Sequence, residues 1–190
     1  LVQKKGDPIV FKKDEFPRAS TTVETLSKLR PAFKKDGTVT AGNASTLNDG
    51  AGAVVMASAE KAKALGLKPL ARLVSYGHAG VEPEYMGIGP VPASRNALEK
   101  AGLKISDMDL IEANEAFAAQ ACAVAKELGM DNEKVNPNGS GISLGHPVGG
   151  TGAILVTKAI YELQRTGGRY ALITMCIGGG QGIAMVIERL

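Results

Sequence analysis

The sequence predicts a layered α/β domain. Two observations carry the prediction. From about residue 48 onward, short apolar runs of strand length alternate with stretches of helix length. The chain then ends on two apolar runs joined only by "GGGQ", a link too short for a crossover, so the last pair of strands is antiparallel.

The elements follow in order. Residues 51–58 (AGAVVMAS) form a candidate buried strand. Ser58 opens a short helix and Gly66 closes it (SAEKAKALG). Residues 70–80 (LARLVSYGHAG) read as a strand. Residues 91–102 (VPASRNALEKAG) read as a helix, with Pro92 near its first turn and Gly102 at its end. Residues 107–114 (DMDLIEAN) form a strand, and 115–129 (EAFAAQACAVAKELG) an Ala-rich helix ending at Gly129. A long glycine-rich stretch (VNPNGSGISLGHPVGGTG) leads into an apolar helix, AILVTKAIYELQRTG, whose exposed positions carry Lys158, Glu162 and Arg165. RYALITMCIGG and GIAMVIERL are the terminal strands. Residues 1–45 differ: they are rich in Lys, Pro, Thr and Ser, and Pro8, Pro17 and Pro31 interrupt them. This segment has no core of its own and reads as an excursion that packs on something else.

Composition narrows the function classes. The chain has 190 residues, 44% of them hydrophobic, with no Trp and only 4% aromatics, so its core is aliphatic. A net charge of +3 gives no case for nucleic acid as a partner. Lysines gather near the start, as a solvated face or as a site for a small phosphorylated ligand. Two cysteines make no disulfide framework and fit a reduced, intracellular setting. No run reaches the ~18–20 apolar residues of a membrane span, and no leader pattern opens the chain. The opening Leu reads as mid-sequence, as in a piece of a longer polypeptide.

Three positions stand out for chemistry. Asn114, in NEAF, falls between a strand and a helix. Its local reading is an N-cap, with Glu115 in the first turn, and a capping Asn can still hold a water. His146 lies between Gly145 and Pro147 with more glycines behind, which leaves its ring reachable by a substrate. A neutral imidazole there can take a proton from a thiol or donate to a developing oxyanion. Cys176 ends an apolar strand, and the glycines after it offer backbone N–H groups that can lower a thiol pKa or form an oxyanion hole. Cys122, mid-helix among alanines, reads as core, and His78 as structural or surface. The glycine runs match neither a P-loop nor a dinucleotide fingerprint. No His/Cys spacing makes a metal site.

In combination, NEAFAAQ, GHPVGGTGA and CIGGGQG, preceded by GTVTAGNASTLNDGA, resemble the thiolases, and most of all the C-terminal half of the biosynthetic, acetoacetyl-CoA type. The resemblance covers the whole chain. It implies a thiolase-like α/β fold, a layered mixed sheet with helices on both faces. Residues 1–45 would be the tail of a coenzyme-A-binding loop domain and 46–190 the C-terminal thiolase domain. The implied reaction is the reversible Claisen condensation of two acetyl-CoA molecules to acetoacetyl-CoA and CoA, with no cofactor beyond the thioester substrates.

The resemblance also assigns roles. His146 would activate a nucleophilic cysteine and help hold the thioester oxygen. Asn114 would position a water at that oxygen, Cys176 would move a proton, and the Gly178 N–H would serve a second oxyanion hole. Ser45, Ala41, Arg18, Met86, Ala116 and Phe117 match positions along coenzyme A or the acyl tunnel. Partners would be the N-terminal half of the same polypeptide and further copies in a dimer or tetramer, in the cytoplasm. One departure is large: the family's acylated cysteine would lie before residue 1, so the chain alone is expected to be inactive. Another is GHPVGGTG in place of the commoner GHPIGASG, where Gly150 and Thr151 are expected to alter packing and not chemistry. Two readings compete with this one: a degradative 3-ketoacyl-CoA thiolase with longer acyl substrates, and a non-catalytic fragment that binds CoA or a partner. The isolated chain is expected to show an exposed apolar face.

Overall fold

The structure, a computed structural model, describes residues 1–190. It contains two units, Leu1–Arg30 and Pro31–Leu190. The first holds one short helix, α1 (Val23–Ser27), opened by reciprocal capping between Thr22 and Thr25. None of its residues is buried, as its polar, proline-broken sequence leads one to expect.

The second unit holds five helices and four strands: α2 (Ala59–Ala64), β1 (Ala71–Gly80), α3 (Pro90–Ala101), β2 (Leu110–Ala113), α4 (Ala118–Leu128), α5 (Gly141–Leu144), α6 (Thr151–Thr166), β3 (Tyr170–Ile177) and β4 (Gln181–Arg189). The strands form one sheet in the order β1-β4-β3-β2. Strands β2 and β3 run parallel, while β4 is antiparallel to both β1 and β3. The sheet is therefore mixed, as expected, and its two terminal strands form the hairpin that their short link requires.

Alternation along β3 builds a core on each face of the sheet. Leu172 joins Ala93, Ala97 and Leu98 of α3, while Ala171 and Ile173 join Leu155, Ala159 and Leu163 of α6. Helix α3 thus covers one face and α6 the other. The approach of α3 is set by backbone contact: a β-carbon on Gly182 of β4 would overlap the carbonyl of Gly89, one residue before α3. Ser58 caps α2 by accepting from the Lys61 N–H at 3.2 Å, and Gly102 and Gly129 end α3 and α4, all at the positions read from the sequence. No helix is long and apolar enough to cross a membrane.

Three expectations need correction. Residues 51–58 form no strand. Gly52 presses against the backbone of Ala153 and Ile154, but no segment runs beside Val54–Met56 to supply a ladder, and Val55 and Met56 are 95% and 72% exposed. This strip, with exposed Leu47, Leu144 and Val148, forms apolar surface of the kind anticipated. Helix α4 begins at Ala118 with Phe117 in the cap position, so Asn114 caps nothing and Glu115 lies outside the first turn. Asn114 is instead drawn into a side-chain contact described below. Lys158 and Glu162 are not exposed: their side chains are 17% and 6% accessible. Both turn toward polar partners at the sheet and the Asn136–Gly139 loop.

Candidate active site

Asn114 and Cys176 stand at the carboxyl ends of neighbouring parallel strands, where α/β folds place their ligands. Register pairs Ala113 with Thr174, and the Asn114 N–H donates to the Thr174 carbonyl at 3.0 Å. Asn114 is 2% exposed. The residues around it are clamped to the following loop. Asn136 exchanges two hydrogen bonds with the Ala113 backbone at 2.8 and 2.9 Å. Ser140 Oγ donates to the Ala113 carbonyl at 3.2 Å and accepts from the Glu115 N–H at 3.3 Å.

That loop carries α5 and delivers His146 back to Asn114. The His146 N–H is shared between the Thr46 carbonyl (3.3 Å) and Asn48 Oδ1 (3.0 Å), and Thr46 Oγ1 holds Asn48 Oδ1 at 2.7 Å. The bend before the histidine needs glycine at 145: its φ is +91° and a β-carbon would lie 2.5 Å from Asn48 Oδ1.

The ring of His146 is fixed at both nitrogens. Nδ1 lies 2.7 Å from Thr151 Oγ1, and that hydroxyl donates its own proton to the Pro147 carbonyl at 3.0 Å. The hydroxyl can therefore only accept from the ring, so Nδ1 carries the proton and Nε2 is bare. Asn114 Nδ2 faces Nε2 at 3.3 Å as a donor. Partial burial lowers the His146 pKa, which keeps the ring neutral near pH 7. The result is a neutral imidazole with a basic nitrogen beside a buried amide whose Oδ1 has no partner. Such a pair can take up a proton and hold a polar group in place. Thr151 thus bears on the chemistry of the ring, contrary to the expectation that it alters packing alone.

Cys176 is 8% exposed and pairs with Gly182 across the hairpin. Burial pushes its thiol pKa up, against a smaller opposing effect of a backbone hydrogen bond. Desolvation outweighs the residue's own backbone N–H, and the lowering expected from the glycine N–H groups is not found. A protonated thiol at neutral pH is a proton donor. Gly178 lies exposed in the turn that follows, and no hydrogen bond joins Cys176 to His146 or Asn114. Cys122 is exposed, not core. It lines a shallow groove with Glu115, Ala118 and Ile142, because Val124 is the residue that α4 buries.

The remaining positions fall in three places. The segment of Ala41–Ser45 runs beside the start of α4: the Ser45 N–H donates to the Ala116 carbonyl at 2.9 Å, and Ala44 forms a bridge with Phe117. The Phe117 ring meets Phe33 edge-on at 6.0 Å. Met86 is half-buried in the 3₁₀ segment Pro83–Ile88, which packs on β3 and β4. Arg18 is exposed in the first unit. Sequence reasoning missed Thr151, Asn48, Asn136 and Ser140. Only Thr151 carried a signal, as a hydroxyl at a helix start five residues beyond the histidine.

Comparison with known proteins shows what the whole chain is similar to. The family model described as the C-terminal domain of thiolase matches residues 67–189, and that of the N-terminal domain matches residues 1–60. Beta-ketothiolase BktB of Cupriavidus necator is 66% identical over 98% of this chain and 48% of its own length. The crystal structure of a Bacillus anthracis acetyl-CoA acetyltransferase superposes with a TM-score of 0.91 at 56% identity, over 100% of this chain and 48% of that one. Human mitochondrial 3-ketoacyl-CoA thiolase gives 0.89 at 56% identity, over 93% and 45%. The chain spans about half the length of the curated relatives it matches.

Proposed function

The chain belongs to the thiolase family, and on that premise we propose that it is the C-terminal part of an acetyl-CoA acetyltransferase of the biosynthetic type. The reaction is the reversible condensation of two acetyl-CoA molecules to acetoacetyl-CoA and CoA. Coenzyme A thioesters are substrates, and no further cofactor takes part. Residues 67–189 form the C-terminal thiolase domain, residues 1–60 end the N-terminal one, and residues 1–45 are the tail of its CoA-binding loop domain.

The observation that carries the reading is the His146 ring, neutral, with Nδ1 held by Thr151 and Nε2 facing Asn114. In thiolysis, Nε2 takes the proton of a cysteine in the other half of the protein. The resulting thiolate attacks the ketone carbon of acetoacetyl-CoA. The carbon–carbon bond breaks, the acetyl group stays on sulfur, and acetyl-CoA leaves as an enolate. The Cys176 thiol, protonated at neutral pH, supplies the proton to the α-carbon. Asn114, through a water, and the Gly178 N–H stabilise the two oxyanions. Free CoA then accepts the acetyl group. Ser45, Ala41, Met86, Ala116, Phe117 and Arg18 contact the CoA arm or the acyl group.

The acylated cysteine is neither Cys122 nor Cys176, so these 190 residues do not turn over alone. The N-terminal half of the polypeptide supplies the nucleophile and covers the exposed Val54–Met56 strip. The complete protein is a cytoplasmic dimer or tetramer. A second reading, a degradative 3-ketoacyl-CoA thiolase with longer acyl substrates, is supported by the equal 56% identity to the two solved structures.

Acetoacetyl-CoA thiolysis, followed as loss of enolate absorbance, tests the proposal. The expected result is no turnover by the 190-residue chain and turnover once the upstream half is supplied. Turnover by the chain alone overturns the assignment of roles. A complete enzyme that prefers longer 3-ketoacyl-CoA selects the second reading.

A further inference from the structure

Beneath the site lies an ion pair that the proposed chemistry does not use. Glu112 on β2 is fully buried, and Lys158 of α6 meets its Oε2 at 2.7 Å. The same ammonium donates to the Gly139 carbonyl at 2.5 Å. One end of this bridge lies two residues before Asn114. The other lies one residue before Ser140, in the loop that continues through α5 to His146. Glu112 Oε1 has no partner.

A buried pair of this kind contributes little net stability over apolar side chains of the same size, because desolvating both ions offsets their attraction. What it does supply is a fixed relation between two chain segments, and these two segments carry the two members of the catalytic pair. The contact they must maintain, Asn114 Nδ2 to His146 Nε2, already spans 3.3 Å and tolerates little drift. We propose that Lys158 is a positioning residue, clamping β2 to the Gly139 carbonyl so that Asn114 and His146 hold their mutual geometry. The inference rests on the reading of these two residues as catalytic.

Three variants separate positioning from stability. In Glu112→Gln the amide oxygen still accepts from Lys158, so the clamp survives. Lys158→Met leaves a buried charge unpaired and loses stability as well as the clamp. The double variant Lys158→Met with Glu112→Leu removes both charges and fills the space. In the complete enzyme, the double variant is expected to unfold near the wild-type temperature yet lose about tenfold in kcat, with KM for acetoacetyl-CoA little changed. E112Q is expected to keep kcat within about threefold of wild type.

A second readout is independent of turnover. Nitrogen-15 shifts of the 190-residue chain, which has only two histidines, report both ring nitrogens of His146. Thr151 is expected to keep Nδ1 protonated in every variant, while the Nε2 shift matches the wild type in E112Q and moves in the double variant as Asn114 Nδ2 draws away. Full kcat and an unmoved His146 signal in the double variant would overturn the clamp. A complete wild-type enzyme without thiolysis would instead overturn the thiolase reading, leaving the His146 signal to decide the clamp.

Discussion

Thr151 Oγ1 accepts from His146 Nδ1 at 2.7 Å while giving its own proton to the Pro147 carbonyl. This one hydroxyl selects the tautomer of the ring. Removing it frees the imidazole to carry its proton on Nε2, where it cannot act as base. Thr151→Val in the complete enzyme is expected to lower kcat by about ten- to a hundredfold, the scale of losing a supporting partner and at or below the ~10²–10⁴-fold that a general base itself contributes. Thr151→Ser, which keeps the hydroxyl, is expected to retain most of it. Steady-state thiolysis of both variants checks the pair, and equal loss in both would assign Thr151 to packing.

The pH dependence follows from the direction of the His146 shift. Burial favours the neutral ring, so the folded pKa lies below the ordinary 6.5. The acid limb of kcat/KM is therefore expected below pH 6.5, with the base fully available at pH 7. Stability moves the same way. The unfolded chain binds the proton first as pH falls, so this contribution is present above about pH 6.5 and lost as pH drops through the folded pKa. An imidazole titration by NMR that places His146 above 6.5 would contradict both.

The two cysteines are expected to react in an order opposite to that of the proposed chemistry. Cys122 is exposed, whereas Cys176 is 8% exposed and its thiol is held protonated by burial. Iodoacetamide at about pH 7 is expected to label Cys122 first, with Cys176 labelled only slowly until the chain is denatured. Peptide mass spectrometry reads the order directly. Faster labelling of Cys176 would mean that the glycine N–H groups outweigh desolvation.

Much of this architecture is legible in the sequence because its signals are local. Ser58, Gly102 and Gly129 each act on the turn they terminate, and the glycine link of the hairpin admits one connection. His146 is legible as a rare ring set among glycines. Its supports are not: Asn48 lies 98 residues away, and no local pattern records a contact at that separation. Lys158 and Glu162 read as solvated because charge defaults to the surface, and only the tertiary fold brings Glu112 under Lys158. In α4 the alanines leave no apolar stripe by which to tell faces apart, so nothing in the sequence marks Cys122 as outward-facing. The Val54–Met56 strip has strand composition, but a strand also needs a neighbour, and composition does not supply one.

The bend that delivers His146 gives the most direct test of the site's construction. At Gly145 two penalties coincide: φ is +91°, and a β-carbon would stand 2.5 Å from Asn48 Oδ1. Relief requires either the backbone to leave its left-handed conformation or Asn48 to withdraw from the His146 N–H. Both movements displace the ring. Gly145→Ala is expected to cost about 1–3 kcal/mol in urea unfolding of the chain. Gly149, farther along the same loop, provides the control, since a β-carbon there would meet nothing within 4 Å and its φ is not left-handed. Gly149→Ala is expected to stay within about 0.5 kcal/mol of wild type. If the two variants prove equally stable, the Asn48 support is dispensable, and the orientation of His146 rests on Thr151 and Asn114 alone.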